Sequence, residues 1–260
     1  MGDANPTNTL HSAARDGFAA RAATYAKARP DYPAAVEAWL RDSMGLGPGS
    51  VAIDLGAGTG KFLPRLLATG ASVTAVEPVA AMRSELSSRH PGVTALDGTA
   101  EAIPLPEASA DAILCATAFH WFATPAALGE MRRVLKPGGR LGLVWNIRDD
   151  TPAWAQAIAA IVERHAGDAP RRRDDAWRAL FPGHGFGPLA DTRLVHSQVA
   201  PSSVIVDRAL SISFIAALPD DTQSEVAEEI RMAVAHAPEL AGDLVTLRYE
   251  TLCCRADRLD

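Results

Sequence analysis

The stretch VAIDLGAGTGKF, Val51 to Phe62, decides the fold. Val51 to Leu55 is a short apolar run that reads as a buried strand, and the residues from Lys61 onward suit a helix. Between them Gly56, Gly58 and Gly60 alternate with small residues. Glycine accepts left-handed backbone without a Cβ penalty and lets peptide N–H groups approach a ligand closely. In an open parallel sheet ligands bind beyond the carboxyl ends of the strands, so this loop predicts an α/β fold with a ligand above it. It is not a phosphate-binding P-loop. The first glycine of that pattern would fall on Leu55, and Phe62 stands where a magnesium-binding hydroxyl is needed.

Outward from the loop, strand and helix alternate. SVTAVEP reads as a strand and AAMRSELSSRH as a helix, followed by the strands VTALDG and DAILCATAF. The helix PAALGEMRRVL, the turn KPGG and the strand RLGLVWNI complete the series. Such alternation predicts parallel strands with crossover helices on both faces. Upstream, helices are expected over Ala13 to Tyr25 and about Ala34 to Met44, separated by the two prolines of RPDYP. Past Asp150 the rhythm changes. A helix AWAQAIAAIVERH and a polar stretch containing Arg171 to Asp175, read as a solvated loop, precede two late strands, LADTRLVHSQV and DLVTLRYETLCCRA. Helical segments near Ser202 to Leu218 and Thr222 to Ala237 lie between those strands. The expectation is a Rossmann-like, doubly wound seven-stranded sheet with an antiparallel C-terminal strand. One structural domain would comprise an N-terminal helical lid (1–45), an α/β core (46–150) and a C-terminal completion carrying a helical cap (151–260).

The 260 residues are 48% hydrophobic and 22% charged, with a formal net charge of -6. That is an ordinary globular composition, and the acidic balance argues against a nucleic-acid partner. No apolar run reaches membrane-spanning length, since Asp207 and Arg208 break the longest. The N-terminal stretch lacks an apolar signal core. Cys253 and Cys254 are adjacent, and neighbours in a strand face opposite ways, so they are poor partners for a disulfide. A reduced, cytoplasmic protein, monomeric or homodimeric, is expected.

The ligand follows from spacing. A dinucleotide fingerprint wants a small residue where Lys61 stands, and the pattern here is G-x-G-x-G. Glu77 ends the second strand about twenty residues on, where a carboxylate would accept hydrogen bonds from both hydroxyls of a ribose. Such an acid serves either a nicotinamide cofactor or S-adenosylmethionine, and the glycine spacing favours the latter.

With VAIDLGAGTGKF, VTAVEP, GTAEAIPLPEASADAIL and RVLKPGGRLGLVWN in this order, residues 18 to 150 resemble a class I S-adenosylmethionine-dependent methyltransferase. YAKARPDYP, AFHWF and VWNIRD narrow the resemblance to the small-molecule branch that includes trans-aconitate methyltransferase-like proteins. The resemblance implies that Asp54 lies beneath the methionyl amino group and that Glu77 and Pro78 flank the ribose. It places Gly56, Ala57, Gly58 and Gly60 in the cofactor loop, and Thr99, Ala100 and Glu101 around the adenine. Thr99 stands where many relatives carry aspartate, which leaves the Ala100 backbone as the contact. Tyr25 and Arg29 fall on the family's lid, with Arg29 able to pair with the methionyl carboxylate, and Thr117 and Phe119 complete the cofactor set.

The implied reaction transfers the methyl of S-adenosylmethionine to a small-molecule carboxylate or hydroxyl, leaving S-adenosylhomocysteine. His120, just past the fourth strand, is the candidate catalytic residue, read as a positioning group rather than a base. Trp121, Phe122, Trp145 and Trp154, with His120, are candidates for the acceptor pocket, and aromatic faces also favour a sulfonium. No metal is expected: Asp149 and Asp150 follow the fifth strand, but ATAFHWF supplies no carboxylate after the fourth. The alternative is a protein of the same fold that binds the cofactor without methylating. A nicotinamide oxidoreductase is more distant, and no Asn/Asp-Pro-Pro-aromatic motif supports methylation of a flipped base.

Overall fold

The computed structural model describes residues 29–167 and 175–260. The expected helix Ala13 to Tyr25, Tyr25 itself and the run Arg171 to Asp174 lie outside them.

The first described helix, α1 (Val36–Asp42), buries Val36, Trp39 and Leu40, the i, i+3, i+4 stripe of an amphipathic helix. The strand β1 (Val51–Leu55) follows, then α2 (Leu63–Leu67), β2 (Ser72–Val76), α3 (Ala80–Arg89) and β3 (Thr94–Leu96). The chain returns through β4 (Ala110–Ala116), α4 (Pro125–Val134) and β5 (Leu135–Arg148). Thr124 caps α4, its side chain accepting from the Ala127 N–H at 3.1 Å, and Pro125 opens the helix, where its fixed φ costs nothing. The expected KPGG turn lies inside the bounds of β5. Ala110 pairs with Leu135 and Ala112 with Arg140, so Lys136 to Gly139 bulge out between the two pairings.

The second half runs α5 (Ala153–Glu163), β6 (Ala190–Pro201), α6 (Val204–Leu210), α7 (Ser213–Ala216), α8 (Asp220–Ala235) and β7 (Leu244–Asp257). The seven strands are ordered β3-β2-β1-β4-β5-β7-β6. β1 to β5 are parallel, and β7 is antiparallel to both β5 and β6. Strand order reverses between β1 and β4, the place where an open α/β sheet receives a ligand.

Two apolar layers cover the sheet. One packs Leu128, Met131 and Val134 of α4 on Ile113, Leu141 and Trp145. The other packs Trp39 and Leu40 of α1 with Leu63, Leu66 and Leu86 on Ala52, Leu114 and Val144. Cys253 belongs to the second layer and Cys254 to the first; all three cysteines are free thiols. A third cluster unites α5, α6 and α8 over Val245, Leu247 and Tyr249 of β7. In α8 the buried Gln223, Val226, Ala227 and Ile230 again follow helical spacing. Each large apolar side chain buried this way stabilises the fold by about 1.5–3 kcal/mol.

Among the described residues no helix is long and apolar enough to cross a membrane.

Candidate active site

A cleft with about 1260 Å³ of space, part of it open to solvent, lies above the reversal point between β1 and β4. Its floor is the glycine loop, and the three glycines are required for three different reasons. Gly56 (φ +69°) runs under the wall: a Cβ there would come within 2.8 Å of Ala118 and 3.2 Å of the Phe122 ring. Gly60 (φ +79°) serves packing, because its Cβ would meet His90 at 2.8 Å and Leu63 at 3.0 Å. Among the described residues Gly58 (φ +56°) has only the Met82 sulfur, at 3.7 Å, near its notional Cβ, and it lines the cleft. At Gly58 the left-handed backbone and the bare face toward the cleft, rather than neighbouring protein, disfavour a side chain.

Glu77 follows β2 and is buried at 5% exposure, yet it lines the cleft. Its carboxylate accepts from the Gly58 N–H at 2.8 Å and from the Val79 N–H at 2.9 Å. Burial raises its pKa, and those two hydrogen bonds offset only part of the rise. The same carboxylate therefore fixes the glycine loop and faces the cleft. Asp54, the fourth residue of β1, is 1% exposed and does not line the cleft. Neither of its oxygens has a hydrogen-bond partner among the described residues. Burial, and secondarily the charge of Glu77, raise its pKa to about 7. With a pKa of about 7 the carboxyl titrates around neutral pH, and a positive charge placed near it would favour its ionised form.

Ala57, Pro78, Thr99, Ala100 and Glu101 line the cleft, together with Val79, Met82 and Gly98. The opposite wall is Arg29, Pro30 and Tyr32 from the N-terminal side, with Thr117, Trp121 and Phe122 after β4. Thr117 is held at φ +55°, an uncommon conformation for a β-branched residue. Its N–H donates to Val144 O at 2.7 Å, and its hydroxyl shares a 2.8 Å hydrogen bond with the Tyr32 hydroxyl. Lys61, also lining, pairs with Asp31 at 2.8 Å and ties the loop to the N-terminal segment.

The remaining candidates from the sequence lie elsewhere. Gly60 sits beneath the loop. Phe119 is buried among Phe122, Trp177 and Phe181. His120 does not line the cleft, and its Nδ1 accepts from Trp145 Nε1 at 3.3 Å. Trp145 does not reach the cleft either: 1% exposed, it stacks at 4.7 Å on Trp177 in the core layer beneath. Trp154, on α5, packs against the cap cluster under the Arg148 guanidinium. Of the expected aromatic group, Trp121 and Phe122 alone share the cleft. Tyr32 and Asn146 join it unforeseen; their only signals were the YP and VWN segments, whose apolar neighbours mask them. Among the described residues no group of three His, Cys, Asp or Glu side chains is placed to hold a metal ion.

Residues 53–143 match the model of the methyltransferase domain family. An uncharacterized methyltransferase-like protein of Schizosaccharomyces pombe is 38% identical over 243 residues, covering 93% of this chain and 95% of the relative. An uncharacterized methyltransferase of Mycobacterium tuberculosis is 35% identical over 240 residues, covering 92% and 94%. Among solved structures, a type II methyltransferase, so described, from Anaeromyxobacter dehalogenans superposes with a TM-score of 0.60 at 28% identity, covering 88% of this chain and 97% of that one. With a glycine loop, an acid after β2 and a cleft at the strand reversal, the chain belongs to the methyltransferase family, in the class I fold whose cofactor is S-adenosylmethionine.

Proposed function

We propose that this protein transfers a methyl group from S-adenosylmethionine to a small-molecule acceptor, at a carboxylate or a hydroxyl. The observation that carries the reading is the pairing of Gly58 and Glu77: a backbone bare toward the cleft, clamped by a carboxylate that also faces it. When bound, S-adenosylmethionine supplies an electrophilic methyl group on a sulfonium. Everything else falls to the chain: binding, alignment and exclusion of water.

Each carboxylate oxygen has two lone pairs, and the Glu77 oxygens each accept one backbone N–H. Acceptor capacity remains for two ribose hydroxyls. Gly98 to Glu101 offer backbone and side-chain contacts along the adenine side, and Arg29 offers a cation to a methionyl carboxylate. Asp54 supplies negative charge beneath the loop once a cation draws its proton off. Tyr32, Trp121 and Phe122 turn aromatic surface to the cleft, which attracts a cation by its quadrupole. The hydroxyl pair Tyr32–Thr117 and the Asn146 side chain can orient an acceptor. Among the described residues no histidine lines the cleft, and a carboxylate acceptor, ionised at neutral pH, needs no base.

Calorimetry with S-adenosylhomocysteine, followed by a screen of small acids and phenols with radiolabelled methyl donor, tests the reading. Glu77→Ala should weaken S-adenosylhomocysteine at least about tenfold, since hydrogen bonds to a charged group are worth roughly 1.5–3 kcal/mol. Wild-type affinity in that variant, or no labelled product from any acid or phenol, would count against it.

A further inference from the structure

Gly98 to Glu101, which the methyltransferase reading gives to adenine, line the cleft from the connection between β3 and β4. They lie beyond the last ladder pairing on that side, Val76 with Leu96. The bonds inside the connection are local: the Ala102 N–H donates to Thr99 O at 3.2 Å and the Leu105 N–H to Ile103 O at 2.7 Å. The buried Ile103 side chain anchors the connection in the core. One buried side chain fixes a point, but it leaves the backbone free to turn about that point.

The orientation comes from α4, no residue of which is among the described residues lining the cleft. Glu130 and Arg133 stand one turn apart on it and form a two-pronged pair. Arg133 Nε donates to Glu130 Oε2 and Nη2 to Oε1, both at 2.7 Å. Three backbone groups of the connection close on that pair: Glu130 Oε1 accepts from the Ile103 N–H at 2.9 Å, and Arg133 Nη2 donates to Ile103 O at 3.1 Å and Leu105 O at 3.0 Å. The far end is tied to the same helix. The Ala108 and Ser109 N–H groups donate to Arg133 O and Val134 O, each at 2.9 Å, using carbonyls that a helix C-terminus leaves open. The Arg133 hydrogen bond, and after it the Ile103 N–H, hold the Glu130 carboxyl below its usual range against the opposing effect of burial. Glu130 is therefore charged at neutral pH. Since α4 docks on the sheet through Leu128, Met131 and Val134, the fold does not depend on the pair, and side chains 36% (Arg133) and 18% (Glu130) exposed add little to global stability. Their effect is local, on the N–H and the carbonyl of Ile103, two residues from Glu101.

We propose that Glu130 and Arg133 are positioning residues that set the Gly98–Glu101 backbone against the edge of the cofactor's base, and so determine the preference for adenine. The proposal rests on the S-adenosylmethionine reading of the cleft. Peptide donors and acceptors tell one base from another only when the backbone that carries them is fixed. A connection that samples several arrangements binds with an affinity reduced by the fraction in the competent one. The clamp raises that fraction before the ligand arrives, from outside the cleft and without touching the ligand.

The test compares S-adenosylhomocysteine with S-inosylhomocysteine by calorimetry. The two differ only at the base edge, where a carbonyl and a ring N–H replace the amino group and the ring nitrogen acceptor. Wild type should prefer S-adenosylhomocysteine at least about tenfold. Glu130→Ala and Arg133→Ala should each cut that preference to about threefold or less, chiefly by weakening S-adenosylhomocysteine about tenfold. Glu130→Gln keeps an acceptor for the Ile103 N–H and should retain most of the preference. Arg133→Lys keeps the charge but not the fork; it should fall in between, and it tests the pair should an alanine variant fail to fold. Glu37→Ala breaks a similarly exposed ion pair between α1 and α2, with Arg65 at 2.6 Å, and should leave both affinities within about twofold. Hydrogen exchange reads the clamp without ligand: in Glu130→Ala the Ile103 amide should exchange at least about tenfold faster while the β4 amides are unchanged. Unchanged preference in the alanine variants, equal loss for both ligands, the same loss in Glu37→Ala, an unmoved Ile103 amide, or a wild type indifferent to the two bases would overturn the assignment. A wild type that binds neither ligand would instead break the underlying reading.

Discussion

The two halves of the sheet treat their buried charged groups differently. Around β1 and β2 the chain buries Asp54 with no hydrogen-bond partner among the described residues and leaves Gly58 bare toward a cleft. Around β7 the charged and amide donors of the cap are bonded: Arg208 bonds Tyr249 and Gln198, and the Gln223 amide N–H donates to Ala216 O and Leu218 O, while Gln223 Oε1 and His196 Nε2 are buried with no partner among the described residues. The first half carries a desolvation cost at Asp54 that no described side chain offsets. The second half is mostly ordinary apolar packing around a small polar row. Cofactor binding should therefore respond to changes in the first half that barely touch stability, and the reverse should hold in the cap.

Asp54 gives the largest expected effect. Its folded pKa of about 7 stands above the ordinary aspartate value of 3.8, so between those pH values the folded chain holds a proton that the unfolded chain has lost. The contribution of this group to stability is full below about pH 4 and declines as the pH rises toward 7, by up to about 4 kcal/mol. Asp54→Asn, uncharged at every pH, should be free of that decline. Urea unfolding of both proteins at pH 5 and pH 8 checks it: the variant should gain on the wild type at pH 8. Parallel pH dependence in the two would mean that Asp54 is ionised in the fold, and the contrast between the halves would fail.

In the cap, Ile230 is fully buried in the third apolar cluster. Ile230→Ala should destabilise the fold by roughly 2–5 kcal/mol while the folded fraction binds S-adenosylhomocysteine unchanged. A matching loss of cofactor affinity would show that the cap and the glycine loop are coupled.

Within the loop itself, two glycines separate the two kinds of constraint. Gly60→Ala forces a Cβ against His90 and Leu63 and should lower the melting temperature, with overpacking worth about 1–3 kcal/mol. Gly58→Ala has room in the protein, so stability should fall only by the left-handed strain, about 1–2 kcal/mol. Its cofactor affinity should fall at least about tenfold, or 1.4 kcal/mol, because the methyl group projects where the ligand must approach. Equal effects of the two variants on affinity would erase the distinction.

These contrasts also mark what the sequence discloses. Val51 to Phe62 could be read because a ligand that contacts backbone demands glycines at fixed spacing, and strand–helix alternation then orders β1 to β5. The antiparallel β7 and the helices before it were legible from their periodicity, and Cys253 and Cys254 fall on opposite faces as strand alternation requires. The acceptor side was not legible. Tyr32 and Asn146, which line the cleft, come from distant segments, and nothing in spacing joins them. Trp145 and Trp121 look alike in sequence, yet strand register sends one into the core and the 3-10 turn Phe119–Trp121 turns the other to the cleft. Aromatic residues near strand ends mark a site only after register is known.

His120 tests the smallest difference. Its Nδ1 receives the Trp145 Nε1 hydrogen and the ring lies beside Trp121 at 5.4 Å between centroids, so it touches the cleft wall from behind. Loss of a general base typically costs 10²–10⁴-fold, whereas a positioning contact is worth about 1 kcal/mol, several-fold in rate. His120→Asn keeps an acceptor for the Trp145 hydrogen and removes the basic nitrogen. It should retain at least roughly a tenth of the methyl transfer measured with whichever acid or phenol the screen identifies. The wild-type rate should show no limb near pH 6.5, where an unperturbed histidine titrates. A loss of about a thousandfold, with such a limb in the wild type and none in the variant, would make His120 the base. That result would also require its ring to turn from Trp145 into the cleft, at the cost of the 3.3 Å hydrogen bond.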